Sequence, residues 1–307
     1  MLVLIDGNAL MHRAYHGVNR GFIPVWEGMP VGMVFGFAST LLSIIDHFKP
    51  EHLIVTFDTK EKTFRHEMDA DYKAHREKAP DDFYPQLPFI EELLEAFDIP
   101  ILKCPGYESD DIIGTVAKAA EKENKKVVIM SGDLDFLQLV SDKIRLARFN
   151  GKIEQSQIYG PEETYERYGI RPDQMIDYKA IIGDSSDNYK GIPGIGPKTA
   201  EKLLQEHDTL NKIIEQRDSL PNKLREKFRE YEREARHCQT LAEIHTQVPV
   251  EFSLQKGFDF APETSLAFFD KMKFKSLKNR YQKLIFGTSE DFKTEKTEKT
   301  EPQMRLF

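Results

Sequence analysis

Three short apolar runs in the first half of the chain are typical of buried strands. They are rich in β-branched side chains and do not alternate with polar positions. These runs are residues 2–5, 53–57 and 127–130. Segments with the apolar spacing of helices lie between them, at residues 35–48, 89–97 and 111–122. The alternation predicts βαβ units, and therefore an α/β fold with a central, mainly parallel sheet and helices on both faces.

Beyond about Gly160 the pattern becomes mainly helical, and it predicts no further strand. Gly and Pro mark the junctions between the predicted helices. The predicted helices are residues 161–168, 172–182, 198–206, 210–215 and 222–238. We therefore expect an α/β core over residues 1–160 and a helical region over residues 161–287.

Two segments lack apolar periodicity. Residues 59–88 are highly charged, so we expect an arm that projects over the crevice of the sheet rather than a part of the core. Residues 293–301 repeat Lys, Thr and Glu with nothing to bury. We therefore predict that residues 288–307 form a disordered tail, although its last five residues include apolar side chains again.

Composition narrows the class of protein. A chain of 307 residues with net charge −8 would ordinarily not bind nucleic acid, but bound divalent ions would offset several acids. With only Cys104 and Cys238, neither a disulfide framework nor a Cys-based zinc site is available. Asp6 interrupts the first apolar run, which argues against a signal peptide, and residues 31–45 are too short to span a bilayer. We expect a soluble protein in a reducing compartment, with no membrane partner.

Nine carboxylates in five clusters are the candidate chemistry. They are Asp6, Asp58, Glu108, Asp110, Asp111, Asp133, Asp135, Asp184 and Asp187. Asp6, Asp58 and Asp133 each lie at or just after the end of a predicted strand, and the carboxyl ends of parallel strands form a ligand crevice. Acids that converge there repel one another unless cations neutralise them, which predicts a site for two magnesium ions. Each acid taken alone has an ordinary alternative as a capping or turn residue.

A second motif, Gly-Ile-Pro-Gly-Ile-Gly-Pro-Lys-Thr-Ala at residues 191–200, is typical of the hairpin in a helix-hairpin-helix. Gly194 and Gly196 allow the backbone to approach a phosphate, and amides at the start of the next helix point toward an anion. Lys198, followed by Thr199, adds a positive charge. Such binding would follow the phosphate backbone and depend on salt. The alternative is an ordinary Gly/Pro turn between two helices.

The charged arm interleaves bases with aromatic residues. Phe64-Arg65-His66 and residues 72–76 both show this pattern. It suits single-stranded nucleic acid, because Lys and Arg meet phosphates while rings stack on bases. The alternative is a solvated surface loop.

In this order, the motifs resemble those of the bacterial 5′ nucleases, which comprise the N-terminal exonuclease domain of DNA polymerase I and free-standing flap-endonuclease relatives. The resemblance covers roughly residues 1–287. It is carried by Leu4-Ile5-Asp6-Gly7-Asn8, Phe57-Asp58, Phe64-Arg65, Tyr72-Lys73, Arg76, residues 106–111, 131–135 and 183–188, and the Gly-rich hairpin. Tyr189-Lys190 departs from the Leu-Pro or Ile-Pro common before Gly191 in relatives. No polymerase domain follows, so we expect a stand-alone nuclease.

The resemblance implies a PIN-like nuclease core with a helical arch at about residues 60–88, followed by a helix-three-turn-helix element. It also implies two magnesium or manganese ions. The first would be held by Asp6, Asp58, Glu108, Asp110 and Asp111, and the second by Asp133, Asp135, Asp184 and Asp187. In the arch, Lys73 and Arg76 would face the scissile phosphate, Tyr72 would stack on a base, and Arg65 would contact DNA. The hairpin would hold a potassium ion through carbonyls of Gly191, Ile192 and Ile195.

The implied function is metal-dependent, structure-specific hydrolysis of DNA at 5′ ends and flaps, in primer removal and repair. We expect a monomer in the bacterial cytoplasm, associated with the nucleoid. RNA primers are a further expected substrate, because the grip is on phosphates. Two alternatives are a non-catalytic DNA-binding module, which missing acids would mark, and a ribonuclease on a related core, which usually lacks the Gly-rich hairpin.

The end of the tail resembles the Gln-x-x-Leu-Phe peptides by which bacterial replication proteins dock on the sliding clamp. Leu306 and Phe307 would enter a hydrophobic pocket, and Gln303 would form a hydrogen bond beside it. Ordering so short a segment costs entropy, so the affinity would be modest. The alternatives are a chance match and a terminal Leu-Phe that packs on the domain.

Overall fold

The fold was analysed in a computed structural model of the chain, which describes residues 1–17, 24–149, 151–255, 257–258 and 261–287. The predicted disordered tail, with Gln303, Leu306 and Phe307, lies outside the described residues. Within these ranges, no helix is both long enough and apolar enough to cross a bilayer.

A central sheet of mainly parallel strands organises the molecule. The strands of the described residues are β1 (Leu2–Asp6), β2 (Val25–Trp26), β3 (Met29–Pro30), β4 (His52–Thr56), β5 (Ile101–Leu102), β6 (Val127–Ser131), β7 (Ile144–Arg148) and β8 (Gln157–Tyr159). Six of them form one sheet in the order β5-β4-β1-β6-β7-β8, in which only β7 and β8 pair antiparallel. Strands β2 and β3 form a separate hairpin. The predicted mainly parallel sheet is confirmed, and β1, β4 and β6 are the three predicted runs.

Helices cover the sheet and form the second half of the chain. The described residues contain α1 (Gly7–Gly17), α2 (Gly32–Phe48), α3 (Phe64–Met68), α4 (Leu87–Ala96), α5 (Ser109–Lys122), α6 (Pro161–Tyr168), α7 (Met175–Ile182), α8 (Pro197–His207), α9 (Leu210–Glu215), α10 (Asn222–Glu230), α11 (Glu232–Ala242), α12 (Pro262–Lys271) and α13 (Lys275–Phe286). Short 3-10 helices lie at Tyr84–Gln86, Asp135–Leu139, Ile153–Gln155, Pro172–Gln174 and Arg217–Ser219. The helix predicted over residues 222–238 is instead two helices, because Tyr231 at φ −110° and ψ 19° interrupts it.

The sheet separates two apolar cores. Leu2 and Leu4 of β1 point into the core that contains α5, α7 and α8, while Val3 and Ile5 point into the core that contains α1, α2 and α4. All four side chains are fully buried, as expected for a parallel sheet covered on both faces.

The last two helices of the predicted helical region over residues 161–287 pack on the first half of the chain. Helices α12 and α13 pack against α4 and α2 instead of joining α7 to α11. The ring of Phe97 lies 5.7 Å from Phe269 and 4.9 Å from Tyr281, measured between centroids. These aromatic contacts stabilise α12 and α13 on the first core.

The segment predicted to form a helical arch, residues 60–88, lies against the acids in this structure. The segment contains the five-residue α3, a series of turns and one 3-10 turn, rather than a projecting pair of helices. Tyr72 is 3% exposed and packs in the core, and the backbone N–H of Lys73 donates to the carbonyl of Asp187 at 3.0 Å. The segment lies against the acids, where its basic side chains form ion pairs with Glu108 and Asp187.

Candidate active site

A cleft of about 730 Å³ opens at the carboxyl ends of β1, β4 and β6. Seven of the nine predicted acids line it, namely Asp6, Asp58, Glu108, Asp110, Asp133, Asp135 and Asp184. The strand register accounts for this convergence, since Asp6 lies opposite Thr56 and Ile5 lies opposite Met130. The residues that follow β4 and β6 therefore surround Asp6.

Asp6 lies at the centre of the cluster, at the end of β1. Its carboxylate accepts hydrogen bonds from the Ala9 backbone at 2.9 Å and from the Ser131 hydroxyl at 2.7 Å. Burial raises the pKa of Asp6 to about 6, with smaller contributions from Asp58 and Asp133, although its two hydrogen bonds act in the opposite direction. A negative charge at this position is therefore unfavourable unless a cation compensates it.

Asp110, in the first turn of α5, faces the same cleft. Burial raises the pKa of its carboxyl well above the ordinary value, and the charges of Asp6 and Asp133 raise it further. Lys73 opposes this shift only in part. Repulsion among buried carboxylates is the condition that a divalent cation relieves.

Asp111 does not line the cleft, and in this structure its carboxylate pairs with Arg65. It is fully buried, and Arg65 donates to both of its carboxylate oxygens at 2.8 Å. The backbone N–H groups of Glu108 and His245 donate to the same two oxygens at 3.1 and 2.8 Å. With four donors on two oxygens, this carboxylate is occupied by the protein itself.

Arg65, which the resemblance places on DNA, faces Asp111 in this structure. Its side chain is buried, donates to Asp111, and also donates from Nε to the Leu241 carbonyl at 3.0 Å. The guanidinium joins α3 to α5 and to the end of α11, and the cluster of acids raises its pKa although burial would lower it. Arg65 is a structural residue in this fold.

Tyr72, which the resemblance places against a base, faces two carboxylates in this structure. Its ring is buried, and its hydroxyl lies 3.1 Å from both Glu108 Oε2 and Asp187 Oδ2. Because a hydroxyl has one proton to donate, it bonds to one of these carboxylates at a time. Tyr72 therefore connects Glu108, directly before α5, to Asp187 in the loop after α7, residues 183–188, which we call the acid loop.

Lys73 and Arg76 lie at the cleft, as the resemblance implies, but they pair with the acids. Lys73 Nζ is 2.9 Å from Glu108 and 3.8 Å from Asp187, and Arg76 is 2.8 Å from Asp187. Burial would raise the pKa of Glu108, yet the nearby Lys73 and Arg65 lower it. Asp187 does not line the cleft but joins it through these two basic side chains.

Lys179, on α7, is a site residue that the sequence reasoning missed. It pairs with Asp135 and, at 2.6 Å, with Asp184. Burial and the charge of Asp133 raise the pKa of Asp135 to about 7. Burial would also raise the pKa of Asp184, but Lys179 and the hydroxyl and backbone N–H of Ser186 hold it at about 2. The sequence signal that could have identified Lys179 as a site residue is its position five residues before Asp184.

The donor set fits hard divalent cations. Every acid on the cleft offers carboxylate oxygens, which magnesium and manganese prefer. Within the described residues, however, no three His, Cys, Asp or Glu side chains are arranged so that they could hold an ion. In this structure Lys73, Arg76 and Lys179 supply positive charge among the acids.

The predicted hairpin lies between α7 and α8. Ile192 to Ile195 form a turn in which the Ile195 N–H donates to the Ile192 carbonyl at 3.1 Å, and Gly194 has φ +72°. Pro193 and Gly194 are exposed, whereas Ile192 and Ile195 are buried. Lys198 is exposed in the first turn of α8, and Gly196 directly precedes that helix.

A second missed residue, Lys227 on α10, supports this turn. Its ammonium donates to the Pro193 carbonyl, and a Cβ on Gly194 would lie 2.9 Å from the same nitrogen. Lys227 therefore adds a positive charge directly beside the exposed backbone of the hairpin.

The hairpin and the acid loop cross at two glycines. A Cβ on Gly191 would lie 2.3 Å from both the Gly183 nitrogen and the Ile181 carbonyl oxygen, so no side chain fits. The Ile192 N–H donates to the Ile181 carbonyl at 2.7 Å, and Asp184 and Tyr189 exchange backbone hydrogen bonds at 2.9 and 3.0 Å. Backbone contacts alone therefore fix the acid loop against the start of the hairpin.

Two solved structures share this fold. The T5 D15 protein, co-crystallised with metal ions, has a TM-score of 0.67 at 23% identity, over 92% of this chain and 99% of that one. A complex of the bacteriophage T5 D15 flap endonuclease with DNA and metal ions has a TM-score of 0.66 at 21% identity, over 93% and 98%. At these identities the likeness establishes the fold alone.

Sequence relatives establish the family. Models of the 5′-3′ exonuclease N-terminal resolvase-like domain and C-terminal SAM fold match residues 1–169 and 170–264. DNA polymerase I of Bacillus subtilis (strain 168) is 40% identical over 91% of this chain but 32% of its own length, so the chain spans about a third of such polymerases. The 5′-3′ exonuclease of the same strain is 35% identical over 92% of this chain and 96% of that protein. The chain therefore belongs to the 5′-3′ exonuclease family of nucleases.

Proposed function

We propose that this protein hydrolyses DNA phosphodiesters at 5′ ends and 5′ flaps, with divalent metal ions in the acid-lined cleft. The observation that carries the proposal is the convergence of seven carboxylates at the ends of three parallel strands. Among them, the carboxyls of Asp6, Asp110 and Asp135 have raised pKa values, which indicates that the protein alone supplies too little positive charge to stabilise their ionised forms. Family membership supplies the class of reaction.

Eight acids would hold two magnesium or manganese ions. We assign Asp6, Asp58, Glu108 and Asp110 to the first ion and Asp133, Asp135, Asp184 and Asp187 to the second. When bound, such ions activate water and stabilise the attacking and leaving oxygens of a phosphoryl displacement.

Lys73 and Arg76 would bind the scissile phosphate once they leave their acid partners. Burial would lower the pKa of Lys73, but Glu108 and Asp187 raise it, so the side chain stays cationic. Arg76 is half exposed and reaches into the cleft from its rim. Both charges neutralise the phosphate as negative charge develops on it, which is a preorganised electrostatic contribution.

The test is cleavage of matched flap, overhang and single-stranded DNA with and without magnesium. We expect magnesium-dependent cuts near the junction of the flap substrate, and little cutting when the ion is chelated. Asp133→Ala should lower turnover by roughly 100-fold or more while duplex affinity stays near normal. Cleavage that is independent of divalent ions, or full activity in Asp133→Ala, would refute the proposal.

The exposed hairpin would grip duplex phosphates, with Gly194, Gly196, Lys198 and Thr199 at the contact. Gly194→Val should weaken binding to all duplex sequences alike, because its side chain would block the phosphate and meet Lys227. A loss confined to particular sequences would contradict a backbone grip. Carbonyls of Gly191, Ile192 and Ile195 are our proposed potassium ligands, and exchanging potassium for choline should then weaken duplex binding beyond the effect of ionic strength.

We further propose that this nuclease is a monomer in the bacterial cytoplasm and that its partners include RNA primers and the bacterial sliding clamp. Cleavage of a flap with an RNA 5′ end tests the first of these partners. For the second, removing residues 303–307, with Gln303, Leu306 and Phe307, should abolish clamp binding and leave cleavage of free flaps unchanged. Equal clamp affinity of full-length and truncated protein would refute docking through the tail.

A further inference from the structure

One side of the cleft is aromatic and apolar, in contrast to the acids opposite. Met11 and His12 of α1 line it together with Phe83, Tyr84 and Leu87, which lie at the start of the α4 segment. Met11 and Phe83 are 7% and 4% exposed, so they belong to the core. Tyr84 is different, because 49% of it is exposed. Packing alone therefore does not account for a large ring at this position.

The ring of Tyr84 rests on an aromatic cluster. Its centroid lies 5.7 Å from that of Phe83 in an edge-on contact, and Phe83 in turn lies 5.0 Å from His12 and 5.3 Å from Tyr15. Such contacts restrict the supporting rings, and Tyr84 itself lines the cleft.

The backbone around Tyr84 is also held in place. The Tyr15 hydroxyl donates to Asp82 at 2.5 Å. The buried side chain of Gln86 donates to the Asp82 carbonyl at 2.8 Å and accepts from the Met33 N–H at 2.9 Å. Residues on both sides of Tyr84 are therefore fixed before any ligand arrives, which lowers the entropy cost of binding.

We propose that Tyr84 is the stacking platform for one nucleobase of the unpaired 5′ segment of the DNA substrate. The inference rests on the proposed function and deepens it, because it assigns the bases as well as the phosphates to this cleft. Phosphates of the strand face Lys73 and Arg76, which line the same cleft, while a base lies flat on Tyr84.

The chemistry of the cleft selects an unpaired base over other ligands. A base in a duplex already has both faces stacked, whereas an unpaired base offers a free π-face. Stacking tolerates every base, which suits an enzyme that recognises DNA structure rather than sequence.

The test is binding of a 5′-flap DNA, measured by fluorescence anisotropy without divalent ions so that no strand is cut. Tyr84→Ala should weaken flap binding about tenfold, and Tyr84→Phe should stay within about twofold of wild type. Tyr84→Leu, which keeps apolar bulk without a flat ring, should resemble Tyr84→Ala. Tyr165, which is 51% exposed on α6 and does not line the cleft, provides a matched control, and Tyr165→Ala should bind normally.

An abasic scan of the flap decides whether a base is the partner. Removing the base at one unpaired position should weaken wild-type binding about as much as Tyr84→Ala does, and should have no further effect in that variant. Additive losses at every position, or unchanged flap binding by Tyr84→Ala, would overturn the inference. If Tyr84→Ala binds flaps with normal affinity and still cuts them with magnesium, only the stacking inference is overturned. A wild-type protein that cuts no DNA would instead overturn the proposed function.

Discussion

Asp110 and Asp111 are neighbours in the first turn of α5, yet their surroundings differ completely. Asp111 lies behind the cleft, where Arg65 and two backbone N–H groups occupy both of its oxygens. Asp110 lines the cleft, where burial and the acids Asp6 and Asp133 raise its pKa. Successive residues of a helix point about 100° apart, so one turn serves both the core and the site.

An aspartate therefore stabilises the fold on one face of this helix and destabilises it on the other. The Asp111–Arg65 pair is buried and compensated, which makes either member costly to remove alone. The uncompensated charge of Asp110 works against the folded state until a cation arrives. Stability and activity should therefore separate cleanly between the two positions.

The largest effect is expected on catalysis in Asp110→Asn. Magnesium-dependent turnover should fall by about 1,000-fold or more, because the variant loses a proposed metal ligand while it keeps the shape of the side chain. Without metal, the melting temperature should be equal to that of wild type or higher, since a repelling charge is gone. Single-turnover cleavage and calorimetry measure the two effects. Normal cleavage would show that the charge of Asp110 is not needed.

The next effect is on stability in Asp111→Asn. Leaving the buried Arg65 without an anionic partner should lower the free energy of unfolding by about 3–5 kcal/mol in urea titrations. The double variant Arg65→Met, Asp111→Leu should recover much of this loss, because it removes both buried charges. A stable but inactive Asp111→Asn would instead place Asp111 in the catalytic site.

A smaller effect is expected for Lys179→Met, which removes a cation that pairs with acids in the cleft. The metal-free protein should melt about 2–4 °C lower, and magnesium should stabilise the variant more than wild type. Lys202, whose exposed side chain pairs with Glu206, provides the control, and Lys202→Met should change neither value. An unchanged response to magnesium would mean that Lys179 does not substitute for the ion.

The smallest effect is the pH dependence of the metal-free protein. Asp6, with a pKa of about 6, and Asp135, with a pKa of about 7, hold protons that the unfolded chain releases near its ordinary value of 3.8. Their contribution to stability is therefore present at low pH and lost as the pH rises through their folded pKa values. Glu108 and Asp184 have lowered pKa values and titrate below this range.

The melting temperature should accordingly fall between about pH 4.5 and pH 7.5, and less steeply in Asp110→Asn. Magnesium should flatten the decline, because it replaces the protons as counter-charge. A melting temperature that rises through this range would show that the carboxylates are not in conflict.

The sequence predicted the parts of this fold that local patterns determine. Strands β1, β4 and β6 are continuous apolar runs, and their ends place Asp6, Asp58 and Asp133 at one edge. By contrast, β5 has only the two residues Ile101–Leu102, too few to carry a periodic signal. The polar positions of β7 (Ile144–Arg148) interrupt the apolar run that marks a parallel strand.

The site was predictable only as a set of acids. Nothing local separates Asp110 from Asp111, because the partner that distinguishes them, Arg65, is 46 residues away. Likewise, Asp135 lies 44 residues from Lys179, and the Tyr72 hydroxyl lies 115 residues from Asp187. These pairings depend on tertiary geometry, which a reading of adjacent positions does not contain.

The crossing of Gly183 and Gly191 fixes the spacing between the acid loop and the hairpin. Because backbone meets backbone there, the acid loop and the hairpin have no side chains between them that might compress or repack. Under the proposed function the hairpin binds the duplex and the cleft cuts the strand, so this crossing would fix the distance between the two. Lengthening the segment between Asp187 and Gly191 would therefore shift the position of the cut along the DNA.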